Sequence, residues 1–369
     1  MTQLPNLQSA IQNPKWVGVE ATIGARAQVR IEALFITLLS NQTTAMRNGH
    51  LEEQCMYSGI KLFAGTSHPA LAHEISEYLG VPLSGRDIIK FPNENLFVQL
   101  HESVRGQDVF LIQTMCPPVS DSILELLIAI DCLRRDSAGR ITVVMPYMAY
   151  SRSDKKDQPR VPITARLLAD MIQVAGADRY ITVDLHAGQI QGFFSIPGDE
   201  ITAFHLLSEY FVKKQIENAV IVTADLGFAK KGRNFAAKMQ VPMAFVEKRR
   251  TSNDASSEAL TVIGDVDGKN VVIVDDEIST AGSINNTIEV VKAHGALDVY
   301  VSATHPVFAP PAVERLRNLP IKELVTTNTV PIPPEKMLPN VKVLSVGPLL
   351  GEVMRRVHEG RSVGELFNE

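Results

Sequence analysis

From Ile60 onward, short apolar runs alternate with amphipathic stretches of helical period, and this alternation restricts the chain to an α/β architecture. Lys61–Ala64, Val109–Gln113, Ile141–Met145 and Tyr180–Val183 read as buried strands. Between them, Pro69–Leu79 reads as a helix closed by Gly80. A second helix places Ile123, Leu126, Leu127 and Ile130 on one face and ends before Gly139, and a third covers Ala165–Val174. The rhythm then repeats. Ala219–Val222, Met243–Val246, Val271–Val274, Val299–Ala303 and Leu324–Thr326 are the strands of a second series. Ile284, Ile288 and Val291 give its clearest helix a buried face, with Gly295 as the stop. Two such runs predict two tandem doubly wound domains with mostly parallel sheets, 59–204 and 205–346. Leu349–His358 lies in a terminal helical stretch, 347–369, that returns to pack on the first domain. Residues 1–58, rich in Gln and Asn and without a motif, form an N-terminal extension of open role; Val29–Leu39 is periodic enough for a helix.

The 369 residues exceed one ordinary domain, and 45% hydrophobic content supports sizeable cores. A net charge of −5 argues against a coat for nucleic acid or an anionic membrane, so bound phosphate must be held by local donors. Cys55, Cys116 and Cys132 show no CxxC spacing and cannot all pair, which fits a reducing, cytoplasmic setting without structural zinc. Ile123–Ile130 is interrupted by Glu125 and is too short to span a bilayer.

Candidate functional residues gather just past the apolar strands, the edge where open parallel sheets bind ligands. The clearest segment runs Val271-Val272-Ile273-Val274-Asp275-Asp276-Glu277-Ile278-Ser279-Thr280-Ala281-Gly282-Ser283. A buried strand ends in two carboxylates, and a small-residue loop then opens a helix. Ser279, Thr280, Ala281, Gly282 and Ser283 can turn hydroxyls and backbone N–H groups to a phosphate at that helix N-terminus. Asp275 and Asp276 can accept from vicinal sugar hydroxyls or meet a sugar-bound Mg²⁺. An ordinary strand–turn–helix with an acidic cap would have less need of paired acids and an unbroken small-residue loop.

That segment resembles the ribose-5-phosphate loop of type I phosphoribosyltransferases and ribose-phosphate diphosphokinases. Further stretches resemble the second family alone: Lys61-Leu62-Phe63-Ala64-Gly65 with Ser67-His68-Pro69, Cys116-Pro117-Pro118-Val119, Asp184-Leu185-His186-Ala187 with Gln189–Phe194, and Lys248-Arg249-Arg250. The likeness runs from about Ile60 to Phe367. It implies a type I phosphoribosyltransferase-like fold in both domains and Mg²⁺-dependent transfer of a diphosphoryl group from ATP to ribose 5-phosphate. It also implies dimers assembled into hexamers through the first domain.

The resemblance makes Lys248 and Arg250 the catalytic cations, on a flexible loop after Met243–Val246, where they balance charge gathering at the β-phosphorus. It makes His186 and Asp225 metal-associated, either as direct ligands or through waters of the ion. It assigns the nucleotide to Phe91, Asn93, Glu94, Asn95, Arg152 and Ser153. Here the chain departs from the family pattern. Asn93-Glu94-Asn95 stands where Asp-Gly-Glu is common, Ser153 where Gln is usual, Ser279 where Asp is usual, and Phe228 where a glycine follows Asp225. Ser362-Val363-Gly364 keeps only the first serine of a pattern associated with an allosteric phosphate. These departures leave two other readings open: the same chemistry on another acceptor such as ADP-ribose, or a regulatory paralogue. A phosphoribosyltransferase would share the Asp275–Ser283 loop but has no use for His186–Phe194 or Lys248–Arg250.

Overall fold

The apolar runs of the first series become strands of one parallel sheet in the computed structural model. The structure describes residues 59–224, 227–250 and 258–366, with the backbone path alone for 248–250 and 258–260. In chain order the first series is β1 (Ile60–Ala64), α1 (Pro69–Leu79), β2 (Arg86–Lys90), β3 (Leu96–Leu100), β4 (Asp108–Ile112), α2 (Val119–Arg135), β5 (Arg140–Met145), α3 (Thr164–Ala175), β6 (Arg179–Val183) and β7 (Gly198–Ile201). The sheet order is β1-β4-β5-β6-β7, all parallel, while β2 and β3 form a separate antiparallel ribbon. Helix α1 shows how local chemistry sets the boundaries. His68 Nδ1 accepts from Leu71 N at the start, and Pro69 needs no N–H there. Gly80 at φ 67° closes the other end, as its left-handed backbone allows.

The second series is α4 (Phe204–Lys214), β8 (Ala219–Thr223), α5 (Ala229–Met239), β9 (Met243–Arg250), β10 (Glu258–Ile263), β11 (Asn270–Glu277), α6 (Gly282–Ala293), β12 (Val299–His305), α7 (Ala312–Asn318), β13 (Ile321–Thr327), β14 (Val341–Leu344) and α8 (Gly347–Glu359). Its sheet runs β10-β9-β8-β11-β12-β13-β14, parallel except for the β9–β10 pair. The centre of this sheet is β11, flanked by β8 and β12. That position explains its unbroken Val271–Val274 run, since both of its faces are covered.

The two sheets share one apolar core. Leu62, Phe110 and Ile181 from the first meet Ile221, Val272 and Val325 from the second, with Phe211 of α4 and Leu350, Val353 and Met354 of α8. Full burial of each such side chain is worth about 1.5–3 kcal/mol. Separate cores cover the outer faces, one around Leu126, Ile130 and Val143 and one around Val222, Ile273 and Ile288. Helix α8 packs on α1 and is fastened by the fully buried Asp108, which accepts from Arg140 Nε at 2.8 Å and meets His358 Nδ1 at 2.8 Å.

Two features differ from the sequence expectation. Strand β9 continues through Lys248 and Arg250 rather than ending at Val246, because β10 pairs with it residue by residue (Leu260 with Lys248, Glu258 with Arg250). The short strands β2, β7 and β14 carry mixed or polar residues, so no long apolar run announces them, and β3, though mostly apolar, pairs only with β2 in the separate ribbon.

Candidate active site

The site is built at the carboxyl end of β11. Asp275 is half-buried there, and Asp276 and Glu277 are buried. Parallel pairing sets Asp275 beside Ala303 and Glu277 beside His305 of β12. Three consecutive carboxylates at one strand end repel, and the fold answers two of them. Asp276 Oδ2 lies 2.5 Å from His186 Nδ1, and Glu277 Oε1 lies 2.8 Å from Arg152 Nε. Both partners, the His186 imidazole and the Arg152 guanidinium, come from the first sheet's loops. Burial pushes the Asp276 carboxyl up, but hydrogen bonds from His186 and Asp275 outweigh it and hold the group below the usual carboxylate range. Asp275 goes the other way: burial, then the Asp276 charge, pushes it well up. His186 is raised by its bond to Asp276, against burial.

Beyond the strand, Ile278 N donates to His305 O and Phe308 N to Ile278 O, which pins the start of the loop. Ala281 takes a left-handed φ of 59° as the residue before α6, and no side chain caps that helix. Its first N–H groups are therefore offered to a ligand rather than to a capping oxygen. A Cβ on Gly282 would meet only Arg315 Nη1 at 3.5 Å and Thr280 Oγ1 at 3.7 Å, which are ordinary contacts. The fold does not need glycine there, so its value is the space it leaves beside the helix N-terminus. Arg315 Nη1 donates to Thr280 O at 3.0 Å and brings a cation to the loop.

His186 stands three residues past the end of β6, its side chain 38% exposed. The segment before it is fixed from several sides. Asp184, 6% exposed, accepts from Thr202 Oγ1 and Thr304 Oγ1 at 2.8 Å and from Ala203 N at 2.9 Å. Lys231 Nζ is 3.6 Å away. His305 Nε2 lies 3.1 Å from Asp184 O, and because a carbonyl only accepts, that nitrogen carries the proton. His305 Nδ1 then meets Thr329 Oγ1 at 2.9 Å. Phe228 lines a cavity of about 30 Å³ with Asp184, Lys231, Asp275 and Asp276, room for a single water.

Arg152 and Ser153 lie in the connection from β5 to α3, and with Tyr150 and Lys155 they line an open cavity of about 360 Å³. Ser153 Oγ accepts from Thr164 N, and Gln189 Nε2 donates to the buried Asp154 at 2.5 Å, tying this connection to the segment after His186. The structure thus brings Arg152, His186, Asp275 and Asp276 together. Phe91, Asn93, Glu94 and Asn95 sit apart from them, exposed at the tip of the β2–β3 ribbon. Their described contacts are local: Phe91 N to Asn95 O, Asn95 N to Asn93 Oδ1, and the Phe91 and Phe97 rings 6.0 Å apart. Lys248 and Arg250 are described as backbone within β9, and Asp225 lies outside the described residues. Sequence reasoning missed Tyr147, Asp154, Glu277 and His305. Only Glu277 gave a signal, as a third acid in the motif.

Among the described residues, no group of three or more acidic, histidine or cysteine side chains is gathered as a metal cage. The donor set still suits Mg²⁺, which keeps several waters and takes one or two carboxylates together with substrate phosphates. Asp275, pushed toward its protonated form by burial and by Asp276, is a carboxyl that a cation would relieve.

Comparisons with known proteins show the family and the fold. The N-terminal domain of ribose phosphate pyrophosphokinase matches residues 60–176, and a phosphoribosyl synthetase-associated domain matches residues 251–368. The ribose-phosphate pyrophosphokinase of Clostridium acetobutylicum is 47% identical over 312 residues, 84% of this chain and 98% of that protein. That of Campylobacter jejuni is 45% identical over 309 residues, 84% of this chain and 99% of the other. A phosphoribosylpyrophosphate synthetase crystal structure from Mycobacterium smegmatis aligns with a TM-score of 0.78 at 40% identity, covering 82% of this chain and 99% of that one. Fold and site together define an α/β protein of the phosphoribosyltransferase-like class, duplicated in tandem sheets. The chain belongs to the ribose-phosphate pyrophosphokinase family.

Proposed function

We infer that the protein transfers the diphosphoryl group of ATP to the anomeric hydroxyl of ribose 5-phosphate, giving phosphoribosyl pyrophosphate and AMP. One observation carries the reading. The candidate nucleotide arginine, Arg152, and the candidate metal-side histidine, His186, reach the same strand end that opens the phosphate loop. Two substrates bound by these groups would lie side by side.

In this reading the 5′-phosphate occupies the N–H and hydroxyl groups of Ser279–Ser283, and Asp275 and Asp276 accept from the ribose hydroxyls. Arg152 and Ser153 hold the ATP phosphates in the cavity they line. The anomeric oxygen bonds to the β-phosphorus, the bond from that phosphorus to the α–β bridging oxygen breaks, and AMP leaves with that oxygen. The hydroxyl proton passes to solvent. Lys248 and Arg250 stabilise the charge spread over the transferring group. Mg²⁺, when bound, neutralises and orients the phosphates; Asp275, Asp276 and Asp225 are the carboxylates that would hold it, with His186 beside them. The protein also acts as a homo-oligomer in this account. Leu167, Met171 and Val174 form an exposed apolar stripe on α3, 56%, 40% and 77% accessible, which a second copy would cover. No helix of the described residues is long and apolar enough to cross a membrane.

The test is AMP release from ATP with ribose 5-phosphate, ADP-ribose or no acceptor, compared by kcat/KM at one Mg²⁺ concentration. Ribose 5-phosphate should be clearly preferred, with almost no release when the acceptor is omitted. A preference for ADP-ribose would keep the chemistry and change the acceptor. Absence of release with either would favour a regulatory role.

A further inference from the structure

Glu277 takes no part in the chemistry described above, yet it is among the most constrained side chains of the site. It is 5% exposed, and a buried carboxylate is costly unless cations or donors answer it. Both of its oxygens are answered from the other sheet's loop. Oε1 lies 2.8 Å from Arg152 Nε, and Oε2 accepts from the buried Tyr147 hydroxyl at 3.3 Å. Arg152 itself remains 51% exposed on the wall of the open cavity. An unrestrained arginine carries rotamer entropy that an anion must overcome on binding. A guanidinium held from behind by a buried acid has already lost part of that freedom. Glu277 is also one peptide bond from Asp276, so the position of Arg152 is set relative to the ribose-phosphate loop and not merely to its own sheet.

We propose that Glu277 is a positioning residue for the nucleotide: it fixes the Arg152 guanidinium at the mouth of the cavity and registers it against the strand that carries Asp275 and Asp276. The proposal rests on the diphosphotransferase reading for the identity of the nucleotide. Its geometry concerns only Arg152 and a polyphosphate anion. Glu277 acts through Arg152, so its effect must vanish when Arg152 is removed. A residue that merely stabilised the fold would instead weaken both substrates and act independently of Arg152.

The experiment is a double-mutant cycle read by calorimetric binding of ADP with Mg²⁺ to the full-length chain. The proteins are wild type, Glu277→Gln, Glu277→Ala, Arg152→Ala and Glu277→Ala/Arg152→Ala. Glu277→Ala should weaken ADP binding by about tenfold or more, the scale of one lost charge partner, with Glu277→Gln intermediate. In the Arg152→Ala background the same change should add less than about twofold, the mark of strong coupling. In steady-state assays the KM for ATP should rise in both single Glu277 variants while the KM for ribose 5-phosphate stays within about twofold of wild type, since uniform binding is lost on one substrate only. Unchanged or tighter ADP binding by Glu277→Gln would overturn the proposal, as would an equal loss in the Arg152→Ala background or a parallel rise in both KM values. If Glu277→Ala fails to fold, Glu277→Gln, with and without Arg152→Ala, carries the same cycle. A wild type that couples ADP binding to Glu277 but releases no AMP would instead refute the proposed reaction.

Discussion

The end of β11 and the tip of the β2–β3 ribbon are both candidate substrate regions, the first on its residues and the second by resemblance, yet they are built differently. At the strand end, Asp276 and Glu277 are buried and meet the His186 imidazole and the Arg152 guanidinium from the first sheet's loops at 2.5 and 2.8 Å. At the ribbon tip, Phe91, Asn93, Glu94 and Asn95 are exposed, and their described contacts stay within the turn and with Phe97. The first region is prearranged by the fold and has little freedom to lose on binding. The second presents side chains that water already satisfies. Prearranged charge in a partly desolvated cleft is where large catalytic effects come from, and exposed amides give small ones.

The largest expected effect falls on the strand end. Its acid Asp275, pushed up by burial and by Asp276, and its polyanionic substrates both call for a cation, so excess chelator should abolish AMP release and added Mg²⁺ should restore it. Full activity in chelator, with no divalent ion detectable, would remove the distinction between the two regions. Next comes Lys248→Ala, expected to lower kcat by at least about a hundredfold, as loss of one electrostatic donor does. The β9–β10 pairing at this position is made by backbone, so the melting temperature should hardly move. Wild-type turnover in this variant would contradict the assignment. At the ribbon tip, Asn93→Ala and Asn95→Ala should each raise the KM for ATP by no more than about tenfold, the worth of one exposed hydrogen bond. A larger loss would mean that the tip is buried around substrate in the working assembly, and the contrast would fail.

The smallest effect is one of pH. Hydrogen bonding to Asp276 raises His186 above its ordinary 6.5, with burial opposing. A group raised on folding stabilises fully below its unfolded value and loses that contribution as pH rises through the folded one. His186→Ala should therefore lower the melting temperature more at about pH 6 than at about pH 9, by about a degree or two at most given the partial exposure of the ring. A larger deficit at high pH would reverse the inferred direction.

Much of this was legible in the sequence because strand ends carry the chemistry. Val271–Val274 could only be a covered central strand, and whatever followed it had to face the ligand edge. Pro69 and Gly80 fixed α1 to the residue. Lys248 and Arg250 escaped as strand residues because their charged run breaks the apolar pattern, and only the pairing of β10 extends β9 through them. Glu277 escaped for a different reason. An acid after a strand looks like any cap, and its partner Arg152 is brought to it by the packing of two sheets that no local pattern encodes. The same holds for Asp184, held by Thr304 from β12, and for His305 on Thr329.

The central claim is that ATP loses its two outer phosphates together to a sugar bound at Asp275–Ser283. Its most direct test follows ATP labelled separately in the β- and γ-phosphates through one turnover with ribose 5-phosphate. The account predicts both labels in the diphosphate of the sugar product and unlabelled AMP in equal amount. Recovery of γ-label as inorganic phosphate or a singly phosphorylated product, with the β-label left in ADP, would contradict it.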